Sequence, residues 1–191
     1  MTAPNRNLRF AYADYKSVPE SMDKRYELLD GDLVLVPTPT IRHQRVSKKL
    51  GFILITFFEH NNLGEVLGAP LDVVFGKGDE REVVQPDIIF ISNERKDIAT
   101  EQEIQGAPDL VVEILSPGTE QRDRNYKKSL YSRYNVLEYW IVGNHRYLQP
   151  NRTGTATQRH LRRETNGHLP TMARISVGGR GYLCIPANLT R

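Results

Sequence analysis

The chain has 191 residues, 39% apolar and 26% charged, which fits a globular domain with a sizeable core and excludes a disordered or fibrous protein. A single cysteine, Cys184, leaves no internal disulfide and no cysteine zinc site, and the longest mainly apolar run, 50–58, is far short of the roughly 20 residues that span a bilayer. The net charge of +3 is uneven: residues 1–142 hold 18 Lys+Arg against 22 Asp+Glu, while 143–191 hold eight Arg, no Lys and one acid, Glu164. The basic balance therefore belongs to the tail and gives no argument that the main body binds nucleic acid. With no signal-peptide pattern in the first ten residues, the expectation is one cytoplasmic domain, 1–191, without a membrane segment.

Along the chain, Arg25–Leu29 and Asp32–Val36 flank Asp30-Gly31, a two-residue hairpin signal. Thr40 is placed to cap a helix running to about Asn61, in which Val46, Leu50, Ile53, Leu54 and Phe57 recur at helical spacing. Short strands are predicted near Gly64–Leu67 and Leu71–Phe75, and a third over Val83–Ser92, interrupted by Pro86. Leu110–Leu115 reads as a strand buried on both faces. After the break Ser116-Pro117-Gly118, Thr119 is placed to cap a second helix to about Tyr134, and Glu138–Val142 is a last strand. Beyond Gly143 no clear period survives. The order of strands and helices predicts an α/β or α+β architecture with a central sheet and helices against it.

One residue is out of keeping with its surroundings. Glu113 sits within the apolar strand, where burial of a carboxylate costs several kcal/mol unless something compensates it. On the following helix, taking Asp123 as zero, Lys127 falls at about 40°, Tyr131 at about 80° and Leu130 at about 340°, so Lys127 and Asp123 share the apolar face, while Lys128 turns away from its centre. Two readings stand side by side: an i,i+4 ion pair at a helix edge, or a lysine aimed at Glu113. Of the two Pro-Asp pairs, Asp109 lies four residues from Glu113 on one strand, roughly 13 Å away, too far to share a cation. Asp87 is on another strand, which pairing can bring beside Glu113, so Asp87 is the metal-site candidate and Asp109 a strand-entry residue. Glu27 reads by default as a solvated edge-strand residue. His43 faces inward near one end of the sheet, either as a hydrogen-bonded core histidine or as a functional one.

Tyr26-Glu27-Leu28, Gln85-Pro86-Asp87, Val112-Glu113-Ile114-Leu115-Ser116-Pro117, then Asp123, Lys127, Tyr131 and Glu138-Tyr139-Trp140 together resemble one large branch of the PD-(D/E)XK nuclease superfamily. The resemblance covers roughly residues 10–142 and is specific in combination and order. It implies a restriction-endonuclease-like fold, a central mixed sheet flanked by helices, with a nuclease-like core at 20–142; residues 143–191 depart from the branch, which normally ends in further apolar strands, and read as a diverged basic tail. It further implies Asp87 and Glu113 as metal-binding acids, Glu27 as an additional acid, Lys127 as the catalytic lysine, and His43, Tyr131 and Asp123 in the same cleft. The lysine usual two residues after the second acid is replaced here by Leu115, so Lys127 on the next helix takes its place.

The activity implied is hydrolysis of nucleic acid, double-stranded DNA foremost, with Mg²⁺ or Mn²⁺ bound by hard carboxylate oxygens, and a homodimer is compatible with it. In that reading Lys127 orients or deprotonates the attacking water. Arg42, Arg45 and Lys49 on the long helix, and Arg122 and Arg124 before Lys127, are placed either to neutralise phosphates or to form solvated helix faces. The competing reading is a catalytically silent nuclease-like module acting in DNA binding or assembly.

Overall fold

The computed structural model describes residues 9–19 and 24–143, and the backbone of strands at 163–164, 172–177 and 181–186. In chain order these are α1 (Tyr12–Ser17), β1 (Arg25–Leu29), β2 (Asp32–Val36), α2 (Ile41–Phe58), β3 (Gly64–Gly68), β4 (Val73–Phe75), β5 (Glu82–Val84), β6 (Ile88–Ser92), β7 (Ile104–Gln105), β8 (Leu110–Ile114), a helix α3 (120–133), β9 (Glu138–Val142), β10 (Arg163–Glu164), β11 (Met172–Val177) and β12 (Gly181–Pro186). The reading of 143–191 as a diverged tail falls largely outside the described residues.

The predicted central sheet divides into two. One runs β2-β1-β5-β4-β7 and the other β10-β9-β8-β6-β3, with β8 parallel to β9 and antiparallel to β6; β11 and β12 form a separate hairpin. The division occurs at Gln85-Pro86-Asp87. Proline cannot donate to a ladder, and here the predicted strand 83–92 leaves one sheet as β5 and enters the other as β6. Asp87 therefore stands at the joint between the sheets.

Alternation along the second sheet gives it two covered faces. Ile88, Phe90, Leu110, Val112 and Trp140 pack against Leu50, Leu54 and Phe58 of α2. Ile89, Ile91, Val111, Tyr139 and Ile141 meet Leu29, Val73, Phe75 and Val84 of the first sheet and Leu130 and Tyr131 of α3. The far face of the first sheet is covered by α1, an element too short to show a period in sequence: Phe10, Tyr12 and Tyr15 pack against Leu28, Val74 and Val83. Tyr12 donates to the buried Glu103, and Tyr15 to Asp72.

The long helix begins as read, Thr40 Oγ1 accepting from His43 N at 3.2 Å, and ends at Phe58, three residues early. Thr119 does not cap the second helix with its side chain; its hydroxyl lies 3.0 Å from Ser116 Oγ instead. That helix is also not a regular α-helix. A first turn, Glu120–Arg122, passes into a π-helical stretch, Asp123–Lys127, before α-helix resumes at Lys128–Arg133.

The packing of α2 is centred on Phe58, whose ring stacks on Phe90 with centroids 3.8 Å apart. Phe58→Ala is expected to lower the unfolding free energy by about 3–5 kcal/mol, read from the midpoint of chemical denaturation.

Candidate active site

The antiparallel register of β6 and β8 pairs Ile88 with Val112. Continued by one residue, it sets Asp87 opposite Glu113 on the face shared with Val111, the face that meets the first sheet and α3. Asp87 and Glu113 thus meet on one side of the sheet, whereas Asp109 is at the other end of β8, accepting from Ser92 N at 2.7 Å and pairing with Arg95.

Glu27 corrects the default sequence reading. It is not a solvated edge residue but 1% exposed. The reason is topological: β1 lies between β2 and β5, and Glu27 shares the inward face with Leu29, while Leu28 turns to the face under α1. Its Oε1 accepts from Gln85 N at 3.0 Å.

Between these acids stands Lys127, 3% exposed. Its Nζ is 2.7 Å from Glu27 Oε1, 2.9 Å from Glu113 Oε1 and 3.8 Å from Asp123 Oδ1. Of the two sequence readings, the lysine aimed at Glu113 is the one the geometry displays, with Asp123 as a third, looser partner. Both Asp123 and Lys127 belong to the π-helical stretch, a local widening of the helix that recurs at functional sites. Tyr131 is fully buried behind the cluster and donates to Glu113 Oε1 at 2.8 Å. It supports the site without lining its opening.

The opening is a cavity of about 260 Å³ whose walls include Glu27, Asp87, Glu113, Asp123, Lys127 and His43. Sequence reasoning missed Arg25 here, although its place two residues before Glu27 on a strand puts both on one face. Arg122 also lines the cavity, with Nη2 3.5 Å from Glu27 Oε2. Arg124 instead pairs with Glu120 one turn away, a solvated helix face.

The electrostatics follow from this crowding. Burial pushes the Glu113 carboxyl up, Lys127 opposes it, and Asp123, Asp87 and Glu27 add to it, for a value of about 8. Burial alone would lower Lys127, but Glu113, Glu27 and Asp123 outweigh it and hold the ammonium well above its ordinary value. Burial likewise raises Asp123. Two buried carboxylate oxygens, Glu27 Oε2 and Asp123 Oδ1, have no hydrogen-bond partner among the described residues.

These residues suit a hard divalent cation of the Mg²⁺ kind. Asp87 and Glu113 offer oxygen donors across adjacent strands, and the cavity has a surplus of buried, incompletely satisfied carboxylate oxygen. Among the described residues no group of three His, Cys, Asp or Glu converges on one point.

A family model described as "Uma2: Putative restriction endonuclease" matches residues 12–172. The fold is similar to that of a protein described as "a putative nuclease belonging to DUF820 from Anabaena variabilis ATCC 29413", at 19% identity and a TM-score of 0.59 over 70% of this chain and 73% of that one. No curated protein matches the chain. Among the described residues no helix is long and apolar enough to cross a membrane.

The raised Glu113 carboxyl gives the metal-free protein a defined pH response. Between the ordinary carboxyl value, 4.5, and about 8, the folded state holds a proton that the unfolded state has released. Stability should therefore fall as pH rises through that window, seen as a declining urea midpoint, and Glu113→Gln should flatten the decline. Mg²⁺ should restore stability most strongly at the alkaline end.

Proposed function

Because the chain belongs to the Uma2 family and has the restriction-endonuclease-like fold of the PD-(D/E)XK superfamily, we propose that it is a metal-dependent endonuclease hydrolysing phosphodiester bonds, with double-stranded DNA as its substrate. The observation that carries this reading is the convergence of Glu27, Glu113 and the Lys127 ammonium in one cavity, with Asp87 across the register from Glu113.

Hydrolysis at phosphorus requires an oriented water, relief of charge on the non-bridging oxygens and help for the departing oxygen. Asp87 and Glu113 are the residues that would hold Mg²⁺ or Mn²⁺, which supplies polarisation of the phosphate and acidification of water. Lys127 acts as a fixed positive charge. Three carboxylates retain its proton, so it orients the water and stabilises charge developing at phosphorus; of the two roles expected from sequence, orientation and not deprotonation is the one its surroundings support. Glu27 holds that ammonium in place while being held itself by the Gln85 amide. Arg122 and Arg25, on the cavity wall, supply cations for flanking phosphates.

The alternative, a nuclease-like module that binds DNA without cutting it, has one observation in its favour: the absence of a gathered three-donor group among the described residues.

Cleavage of supercoiled plasmid separates the two. With Mg²⁺ or Mn²⁺ the protein should nick and linearise the plasmid, and EDTA or Asp87→Ala should abolish this. Lys127→Ala should lower the rate by about 10²–10³-fold with the fold retained. Lys127→Arg should not rescue it, because a planar guanidinium does not fit the compact position of the ammonium. Lys128→Ala, on the exposed side of the helix, should cut as the parent does. Plasmid binding in gel shift with no metal-dependent cleavage, unchanged by Asp87→Ala, would establish the silent module instead.

A further inference from the structure

We infer that His43 is a positioning residue for the metal-binding carboxylate: it fixes Asp87 so that one oxygen is tied to the protein and the other is offered to the ion. The inference rests on the nuclease reading above for the identity of that ion.

Both side-chain contacts made by Asp87 go to the same oxygen. Oδ2 accepts from Ile114 N at 2.7 Å and lies 3.1 Å from His43 Nε2. Among the described residues Oδ1 has no hydrogen-bond partner, and Asp87 lines the cavity. The Ile114 contact arises because β6 begins only at Ile88, one residue after Asp87. With β6 not yet begun on that side of β8, the carboxylate itself takes the Ile114 amide. One bond leaves a carboxylate free to swing about it. A second donor from another direction fixes its plane, and His43 is that donor.

The imidazole is itself held. His43 is 8% exposed in the first turn of α2, and its amide is bonded to Thr40 Oγ1. The helix behind it is anchored by Leu50, Leu54 and Phe58 in the core. Donation through Nε2 to Asp87 leaves Nδ1 as the other ring nitrogen, and Nδ1 is buried with no partner among the described residues. A site serving stability alone gains little from such a residue, because an unpaired buried nitrogen carries a desolvation penalty that an apolar side chain avoids. Control of Asp87 is what the histidine adds. Partners of this kind orient metal ligands, and their loss typically weakens metal affinity by about 10–100-fold.

The test is isothermal titration of the metal-free, full-length protein with Mn²⁺ alone, on the parent, Asp87→Ala, His43→Leu, His43→Asn and His43→Gln, each checked for folding by circular dichroism. His43→Leu should weaken Mn²⁺ binding by about 10–100-fold. His43→Gln, whose amide nitrogen stands near the place of Nε2, should recover most of the affinity. His43→Asn, one carbon shorter, should not, and it carries the comparison if the leucine variant fails to fold. In cleavage assays the His43 variants should raise the Mn²⁺ concentration needed for half-maximal rate far more than they lower the saturated rate. Unaltered Mn²⁺ affinity in folded His43→Leu or His43→Asn overturns the inference, as does equal weakening in the Gln and Asn variants, which marks a merely structural role. Mn²⁺ binding that depends on His43 without any cleavage upholds the inference while the nuclease reading falls. A parent that binds no Mn²⁺, like Asp87→Ala, overturns both.

Discussion

The structure turns on one buried ammonium. Lys127 is out of solvent among Glu27, Glu113 and Asp123, with Asp87 on the adjoining strand. Removing such groups from water costs several kcal/mol each, and one buried cation does not match the three buried carboxyls of Glu27, Glu113 and Asp123. Arg122 approaches Glu27 only loosely, and among the described residues one oxygen each of Glu27 and Asp123 finds no hydrogen-bond partner. Burial is the first cause of the raised Glu113 carboxyl, and Asp123, Asp87 and Glu27 add to it against the opposing pull of Lys127. The divalent cation proposed between Asp87 and Glu113 would relieve the same imbalance.

The fold tolerates the cluster because its members are brought in by four separate parts of the chain. The corner at Pro86 carries Asp87 to the joint between sheets, β8 carries Glu113, β1 carries Glu27, and α3 brings Lys127 and Tyr131 against the same face. Those elements are held by apolar packing on both sides of the second sheet, so the charged groups ride on a framework they need not stabilise. At the joint the core gives way to polar groups, and the cavity opens there.

Much of this was legible in the sequence, for identifiable reasons. A charge inside an apolar strand marked Glu113, chain separation eliminated Asp109, and helical angles placed Lys127 on the inward face. Glu27 was not legible by the same means. Alternation shows that neighbouring residues face opposite ways but not which way is inward, and β1 has apolar cover on both sides. The cover on one side comes from α1, six residues with no readable period. The division into two sheets was marked by Pro86 as an interruption, but a proline does not say where the chain goes next. The π-helical stretch left no sign in the apolar spacing, since Leu130 and Tyr131 keep their inward places after it.

The displaced lysine also has a geometric explanation. Position 115 lies two residues after Glu113 and so on the same face of the strand. Leu115 fills it, packed in the cluster that contains Leu130 and Tyr131 of α3. The helix and that strand position therefore address the same volume from opposite sides, and an ammonium can enter it from either. Coming from the helix has a structural consequence. A lysine on the strand would be tied to Glu113 by the backbone between them, whereas Lys127 depends on how α3 sits against the sheet. Tyr131, one helical turn on, bonds the same Glu113 oxygen and locks that placement. The phenol thus does for Lys127 what the imidazole of His43 is inferred to do for Asp87: each holds a charged group in place on the cavity wall.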